Sequence, residues 1–243
     1  MLAAMASSAV SPVRLILDTD MGGGACRDVD DVVALCTLHA LMDNGEVELL
    51  ATIQDTAPPQ VAGVISVINH WYGRDDIPIG AYKGSGLTLA GAPPLTYVDE
   101  LVRNFPSPIR NTTQVPDAVD VYRRVLAASP PRSVTIASVG LLTNLELLLR
   151  SGPDAHSKLT GLELVAEKVV LLAAMAGNYP QSGCDADRPP PPRRLLARRR
   201  VQRVRLLQRR RRDLDGDRRG RVVVRRGARA SFSPYDLSGL SRR

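Results

Sequence analysis

Blocks of apolar and polar positions succeed one another along most of the chain. Val13–Leu17 is a short run apolar on both faces, the pattern of a strand in the middle of a parallel sheet. In Asp31–Leu41, Val32, Leu35, Cys36 and His39 recur at spacings of three and four, which predicts a helix closed by Asn44-Gly45. Val47–Ile53 predicts a second strand, whose end delivers Asp55 and Thr56 to the same sheet edge as Asp18 and Asp20. After Pro58-Pro59, Gln60–Tyr72 predicts a helix with Val61, Val64, Ile65, Ile68 and Trp71 on one face. Trp71 is expected to pack, His70 to lie at the surface and His39 to be a partly exposed helix residue.

Ile77-Pro78-Ile79-Gly80 reads as a short third strand, placed by its proline at an edge or a strand start. From Tyr82 to Pro116, Gly, Pro, Ser and Asn recur throughout, so little regular structure is expected and a lid or binding loop is indicated. Asp117–Ala128 predicts a helix opened by acidic residues, with Val121, Tyr122, Val125 and Leu126 inward. Ser133–Val139 is a buried strand that runs through Gly140-Leu141-Leu142-Thr143-Asn144 into a Leu-rich helix ending near Arg150; Lys168–Met175 is another buried strand. Strands alternating with helices predict an α/β fold, a mostly parallel sheet flanked by helices.

Composition changes this picture at one place. Residues 1–187 hold 12 Lys and Arg against 21 Asp and Glu, whereas residues 188–243 hold 20 Arg, no Lys and 4 Asp. The overall charge of +7 therefore conceals an acidic domain and a basic tail. Cys26, Cys36 and Cys184 are widely spaced, suggesting neither a disulfide framework nor a zinc site, and Cys36 is expected to be a small buried residue. Residues 1–13 lack the basic start and apolar centre of a signal peptide, and no run approaches about eighteen apolar residues, so no membrane span is expected. The expected location is the cytoplasm.

The candidate chemistry lies in Leu15–Leu35. Asp18, Asp20, Asp28, Asp30 and Asp31 fall within fourteen positions, around the three consecutive glycines Gly22-Gly23-Gly24. So many carboxylates are either solvated or gathered about a cation, and hard divalent cations prefer oxygen ligands. A strand end, a glycine loop and a helix start place them at the C-terminal edge of a parallel sheet, where open α/β folds bind ligands. On the plainer reading Asp18 ends a strand, Asp28 or Asp30 caps a helix, and the remainder is solvated surface. Asp55 reads equally as a site residue or as a turn residue before Pro58-Pro59.

The order Asp18-Thr19-Asp20, then glycine, then Asp30-Asp31 and Ala34-Leu35, resembles the opening of the inosine-uridine preferring nucleoside hydrolases, with the loop lengthened over Gly23–Val29. Gly140-Leu141-Leu142-Thr143-Asn144 after a strand and Met175-Ala176-Gly177-Asn178-Tyr179 after the next are further points of resemblance, which together cover about residues 15–183. The resemblance implies a ribonucleoside substrate, hydrolysis of its N-glycosidic bond and a bound Ca²⁺. Carried over by position, Asp20 would ligate Ca²⁺ and act as general base, and Asp31 and the backbone carbonyl of Val139 would be further ligands. Asp30 would bind a ribose hydroxyl, and Asp18 would orient the cluster from behind. Members of this family are often homo-oligomers.

The family pattern stops near Gly183, which divides the chain into a partial hydrolase-like domain, 13–183, and a Pro/Arg-rich tail, 184–243. The last Asp ligand and the His near the leaving base that the family implies have no counterpart: His156 lies in another region, and Asp213, Asp215 and Asp217 sit among arginines. Hydrolysis by this chain is accordingly expected to be poor. The tail is expected to be mostly disordered and to leave the sheet with an exposed apolar edge. A nucleic-acid-binding arm, an inert extension and out-of-frame translation of a GC-rich gene are the competing readings of it, the first requiring that clustered Arg meet phosphates.

Overall fold

The computed structural model describes residues 11–22, 29–84, 87 and 96–175. The tail, Asp28, Cys26, Cys184 and the turn after Met175 lie outside the described residues.

Among the described residues, five parallel strands form one sheet in the order β3-β2-β1-β4-β5, with β1 at Val13–Thr19, β2 at Val47–Gln54, β3 at Ile79–Ala81, β4 at Val134–Ser138 and β5 at Val169–Ala174. The expected α/β architecture is thus the observed one, with the proline-marked third strand at an edge. The chain first builds from β1 outward through β2 to β3, then returns to the other side of β1 for β4 and β5. The reversal makes the gap between β1 and β4 a topological switch point, where the loops leaving the strand ends diverge and open a crevice.

Alternation along β1 explains how one strand serves two cores. Leu15 and Leu17 join one apolar cluster with Leu35, Val64, Ile65 and Ile68, from helices α1 (Asp30–Asp43) and α2 (Val61–Trp71). Ile16 joins the other, with Ile53, Ile136, Val121, Leu126, Leu148 and Leu164, drawn partly from α4 (Ala118–Ala128), α5 (Thr143–Arg150) and α6 (Gly161–Lys168). Successive strand residues point to opposite faces, so a strand covered on both sides must be apolar at both parities. Each fully buried aliphatic side chain contributes about 1.5–3 kcal/mol relative to exposure.

Four expectations are corrected. His39 is buried, not partly exposed. Arg74 Nη1 donates to its Nδ1 at 3.0 Å, so Nε2 carries the proton and donates to Asn69 Oδ1 at 3.0 Å, while the ring stacks on Tyr72 at 4.3 Å. Burial lowers the pKa of this neutral, structural imidazole. Trp71, expected to pack, is 77% exposed because α2 ends there and its apolar face is already filled by Val64, Ile65 and Ile68. Within the supposed loop from Tyr82 to Pro116 lie α3 (Thr96–Asn104) and a short 3-10 turn at Thr112–Gln114 opened by an Asn111–Gln114 capping box. Cys36 is half-buried, and α6 is a helix that the apolar pattern did not announce, opened by a Thr160–Glu163 capping box. His70 lies at the surface as expected, bonded to Asp75 at 2.9 Å.

At the last strand of the sheet as described, no residue of β5 is fully buried, and Val170 and Met175 are exposed apolar side chains. Among the described residues, no helix is long and apolar enough to cross a membrane.

Candidate active site

Register brings the acids together. Asp18 stands level with Ile53 of β2 and Ser138 of β4, so the residues that follow each strand emerge side by side. Backbone bonds continue past the strands: Asp55 N–H donates to Thr19 O at 3.0 Å, Val139 N–H to Asp18 O at 2.9 Å, and Met175 N–H to Ser138 O at 2.8 Å. Thr19, Asp20, Asp55, Val139 and Gly140 therefore share one rim.

Asp31 reaches this rim from the first turn of α1. Its Oδ1 accepts from the Thr19 hydroxyl and from Asp20 N–H at 3.2 Å, while Oδ2 is buried with no donor. Asp30, one residue earlier, is exposed and accepts the Asp31 N–H at 3.0 Å on Oδ1, satisfying one of the free donors of the helix start. Asp20 is partly buried between them.

Asp18 lies entirely inside. Tyr122 of α4 donates its hydroxyl to Asp18 Oδ2 at 2.7 Å, and Oδ1 is left without a donor. Asp55 is also fully buried, with no donor to either oxygen. Asn144 Nδ2 donates to Gln54 O at 2.9 Å and Gln54 Nε2 to the carbonyls of Thr56 and Pro58, each at 2.8 Å, fixing the turn after β2. Their amide oxygens, Asn144 Oδ1 and Gln54 Oε1, are buried and unpartnered in turn.

Gly140 permits this crowding. A Cβ there would stand 2.3 Å from Asp55 Oδ2 and 2.7 Å from Asp20 N, closer than real side chains approach. Any other residue would push the β4 loop off the two acids.

Burial governs the electrostatics. It pushes Asp31 up to about 7, helped by the neighbouring charge of Asp20, and Asp18 up to about 6, against the pull of the Tyr122 hydroxyl. Asp55 is raised well above the ordinary carboxylate value by burial and then by the charges of Asp18 and Asp20. Several carboxylates that resist ionising together, with oxygens that lack donors, fit the oxygen chemistry of a hard divalent cation. Among the described residues, no group of three or more His, Cys, Asp or Glu side chains is placed as it stands to hold a metal ion.

Asp18, Asp20, Asp31 and Val139 thus lie within one connected rim, and Asp30 lies beside it on the outer side. Reading the sequence missed Tyr122, Gln54 and Asn144. A tyrosine on the inward face of a helix signals a hydroxyl in need of a buried partner, but the partner is 104 residues away. His156 is elsewhere, bonded to Asp120 at 2.8 Å.

The sequence profile of the family described as inosine-uridine preferring nucleoside hydrolase matches residues 15–179. Among solved structures, the chain is similar to the type III effector protein XopQ complexed with adenosine diphosphate ribose, at 21% identity over 72% of this chain and 46% of that one, with a TM-score of 0.49. It is similar to a plant nucleoside hydrolase, PpNRh1, at 20% identity over 69% and 48% of the two chains and a TM-score of 0.45. It is also similar to the purine-preferring ribonucleoside hydrolase from Gardnerella vaginalis, at 18% identity over 68% and 49% and a TM-score of 0.45. The chain spans about half the length of these solved structures. No curated protein matches it.

Proposed function

The chain belongs to the inosine-uridine preferring nucleoside hydrolase family, and we propose that its acidic rim serves hydrolysis of the N-glycosidic bond of a ribonucleoside, giving the free base and ribose. The observation that carries this reading is the set of buried carboxylate oxygens without donors, gathered at the switch point of the sheet. In a merely structural cluster such oxygens would be hydrogen-bonded.

The chemistry needs an activated water and stabilisation of a sugar carbon that gains oxocarbenium character as the base leaves. Asp20, partly buried at the mouth, takes the proton from the attacking water. Asp30, exposed beside it, accepts a hydrogen bond from a ribose hydroxyl. Asp31, held by the Thr19 hydroxyl and Asp20 N–H, joins Asp20 and the Val139 carbonyl as the oxygens that would hold Ca²⁺. When bound, the cation acidifies water and offsets the crowded negative charge. Asp18, braced by Tyr122, buttresses the floor.

The test is release of base from inosine or uridine by the full chain, with Ca²⁺ or with a chelator. Slow release that requires Ca²⁺ and disappears in Asp20→Asn is the expected result. Release that is indifferent to chelation, or unchanged in Asp20→Asn, would overturn the assignment.

A further inference from the structure

Asp55 has no part in the reaction described above, yet it is among the most deeply buried charged groups of the rim. We propose that Asp55 is a further carboxylate ligand of the cation, reaching it from the end of β2; this rests on the calcium site proposed above.

Three observations carry the assignment. The first is proximity: Asp55 Oδ2 and Asp20 N both lie within 2.7 Å of the single point where a Gly140 Cβ would stand. Asp55 is also tied by its N–H to Thr19 O, the residue preceding Asp20. A hydrogen atom in place of a side chain at 140 is what lets β2's carboxylate stand beside β1's loop.

The second is the lack of a cationic protein partner among the described residues. Asp55 is fully buried with no donor to either oxygen, and Asp31 Oδ2 is in the same condition. Among the described residues, the ion pairs of Arg14, Arg74, Arg103, Arg123, Arg150 and Lys168 are all made elsewhere, and none includes Asp18, Asp31 or Asp55. Removing an ionised carboxylate from water costs several kcal/mol unless a counter-charge is near, and among the described residues no guanidinium or ammonium supplies one to Asp31 or Asp55.

The third is donor chemistry. Asp31 and Asp55 offer unpartnered carboxylate oxygens, donors with neither nitrogen nor sulfur among them. Calcium is the ion that accepts many such oxygens in irregular geometry. The competing occupant is a single proton shared between Asp55 and its neighbour Asp18.

Calcium titration by calorimetry, with terbium luminescence as a second probe, separates these cases in the full chain, Asp31→Asn and Asp55→Asn. Thermal melting in chelator accompanies each. The expected result is that Asp55→Asn weakens calcium affinity about tenfold or more, since affinity follows the number of charged ligands, while its metal-free melting temperature stays level or rises. Undiminished affinity in Asp55→Asn, with loss in Asp31→Asn, would assign Asp55 to proton sharing and leave the proposed function standing. A lower metal-free melting temperature in Asp55→Asn would make it a structural residue and overturn the ligand role. Absence of calcium binding by the unmodified chain would remove both the ligand role and the calcium site itself.

Discussion

Two groups of buried charge stand at opposite extremes of satisfaction. Arg123 of α4 is 2% exposed, yet its guanidinium donates to Asp154 at 2.6 and 3.0 Å, to Ser151 Oγ at 2.9 Å, and to the carbonyls of Ser157 and Leu159 at 3.2 and 2.9 Å. Asp18, Asp31 and Asp55 are as deeply buried, and each has at least one oxygen with no donor. The first group ties α4 to the segment between α5 and α6. The second stores repulsion at the mouth of the sheet. Most buried charges in a fold are satisfied, so the unsatisfied set is the contrast on which the proposed cation site rests.

The comparison breaks most visibly at Arg123. Arg123→Ala is expected to destabilise the protein by about 3–5 kcal/mol, read by denaturant unfolding, because it leaves two partly buried carbonyls without their donor as well as removing the ion pair. A loss under about 1 kcal/mol would show that the guanidinium is no tie.

The pH dependence of the two groups has opposite sign. Asp18 and Asp31 carry folded pKa values of about 6 and about 7, above the ordinary 3.8. Their contribution is fully present below that ordinary value and is lost as pH rises through 6 and 7. Without divalent cation, stability should therefore fall between about pH 4 and 7.5, by on the order of 2–3 kcal/mol per carboxylate. Added calcium should raise the melting temperature more at pH 8 than at pH 5. Asp154 is held below the usual carboxylate range by Arg123, so its contribution is present above 3.8 and lost on acidification. Being partly exposed, it contributes less. Melting temperatures in chelator that climb steadily from pH 5 to pH 8 would contradict the assignment.

Gly140→Ala should cost about 1–3 kcal/mol through overpacking and should weaken calcium binding as well, since the new methyl meets Asp55 Oδ2 and Asp20 N together. Calorimetry on the folded variant reads the second effect, and unchanged affinity would show that the close approach has no bearing on the site. The smallest effect is expected from Asp31→Asn, which keeps an oxygen for the Thr19 hydroxyl but removes a repelling charge. Metal-free stability at pH 8 should rise by about 1 kcal/mol, the relief of charge being largely offset by a buried amide N–H with no acceptor where Asp31 Oδ2 stands, and opposite in sign to Arg123→Ala. A decrease would mean that the Asp31 charge is already compensated.

Much of the architecture was legible because it rests on local pattern. Runs apolar at both parities marked β1, β4 and the place of β5, and three- and four-residue spacing marked α1, α2 and α4. Where pattern was thin it misled. The stretch holding α3 is rich in turn-forming residues on either side, and α6 is short and depends on its Thr160–Glu163 box rather than on an apolar stripe. Trp71 and His39 were misplaced because periodicity assigns a side chain to a helix face but does not say how far the neighbouring elements extend over it.

At the site, the order of Asp18, Asp20, Asp30 and Asp31 around a glycine loop was enough to nominate an acidic rim, since a strand end and a helix start must present their residues at the sheet edge. Their division of labour was not contained there. Asp31 turns inward and Asp30 outward because successive residues of the first turn of α1 face different sides, and Asp55 is buried at the rim because β1 and β2 run in register. Tyr122 meets Asp18 only because α4 crosses the central strands. Local sequence determines which residues reach the end of a strand, since that needs only the covalent chain and its periodicity. Burial and pairing between residues thirty to a hundred positions apart depend on how the sheet stacks and its helices pack, and only the tertiary structure decides them.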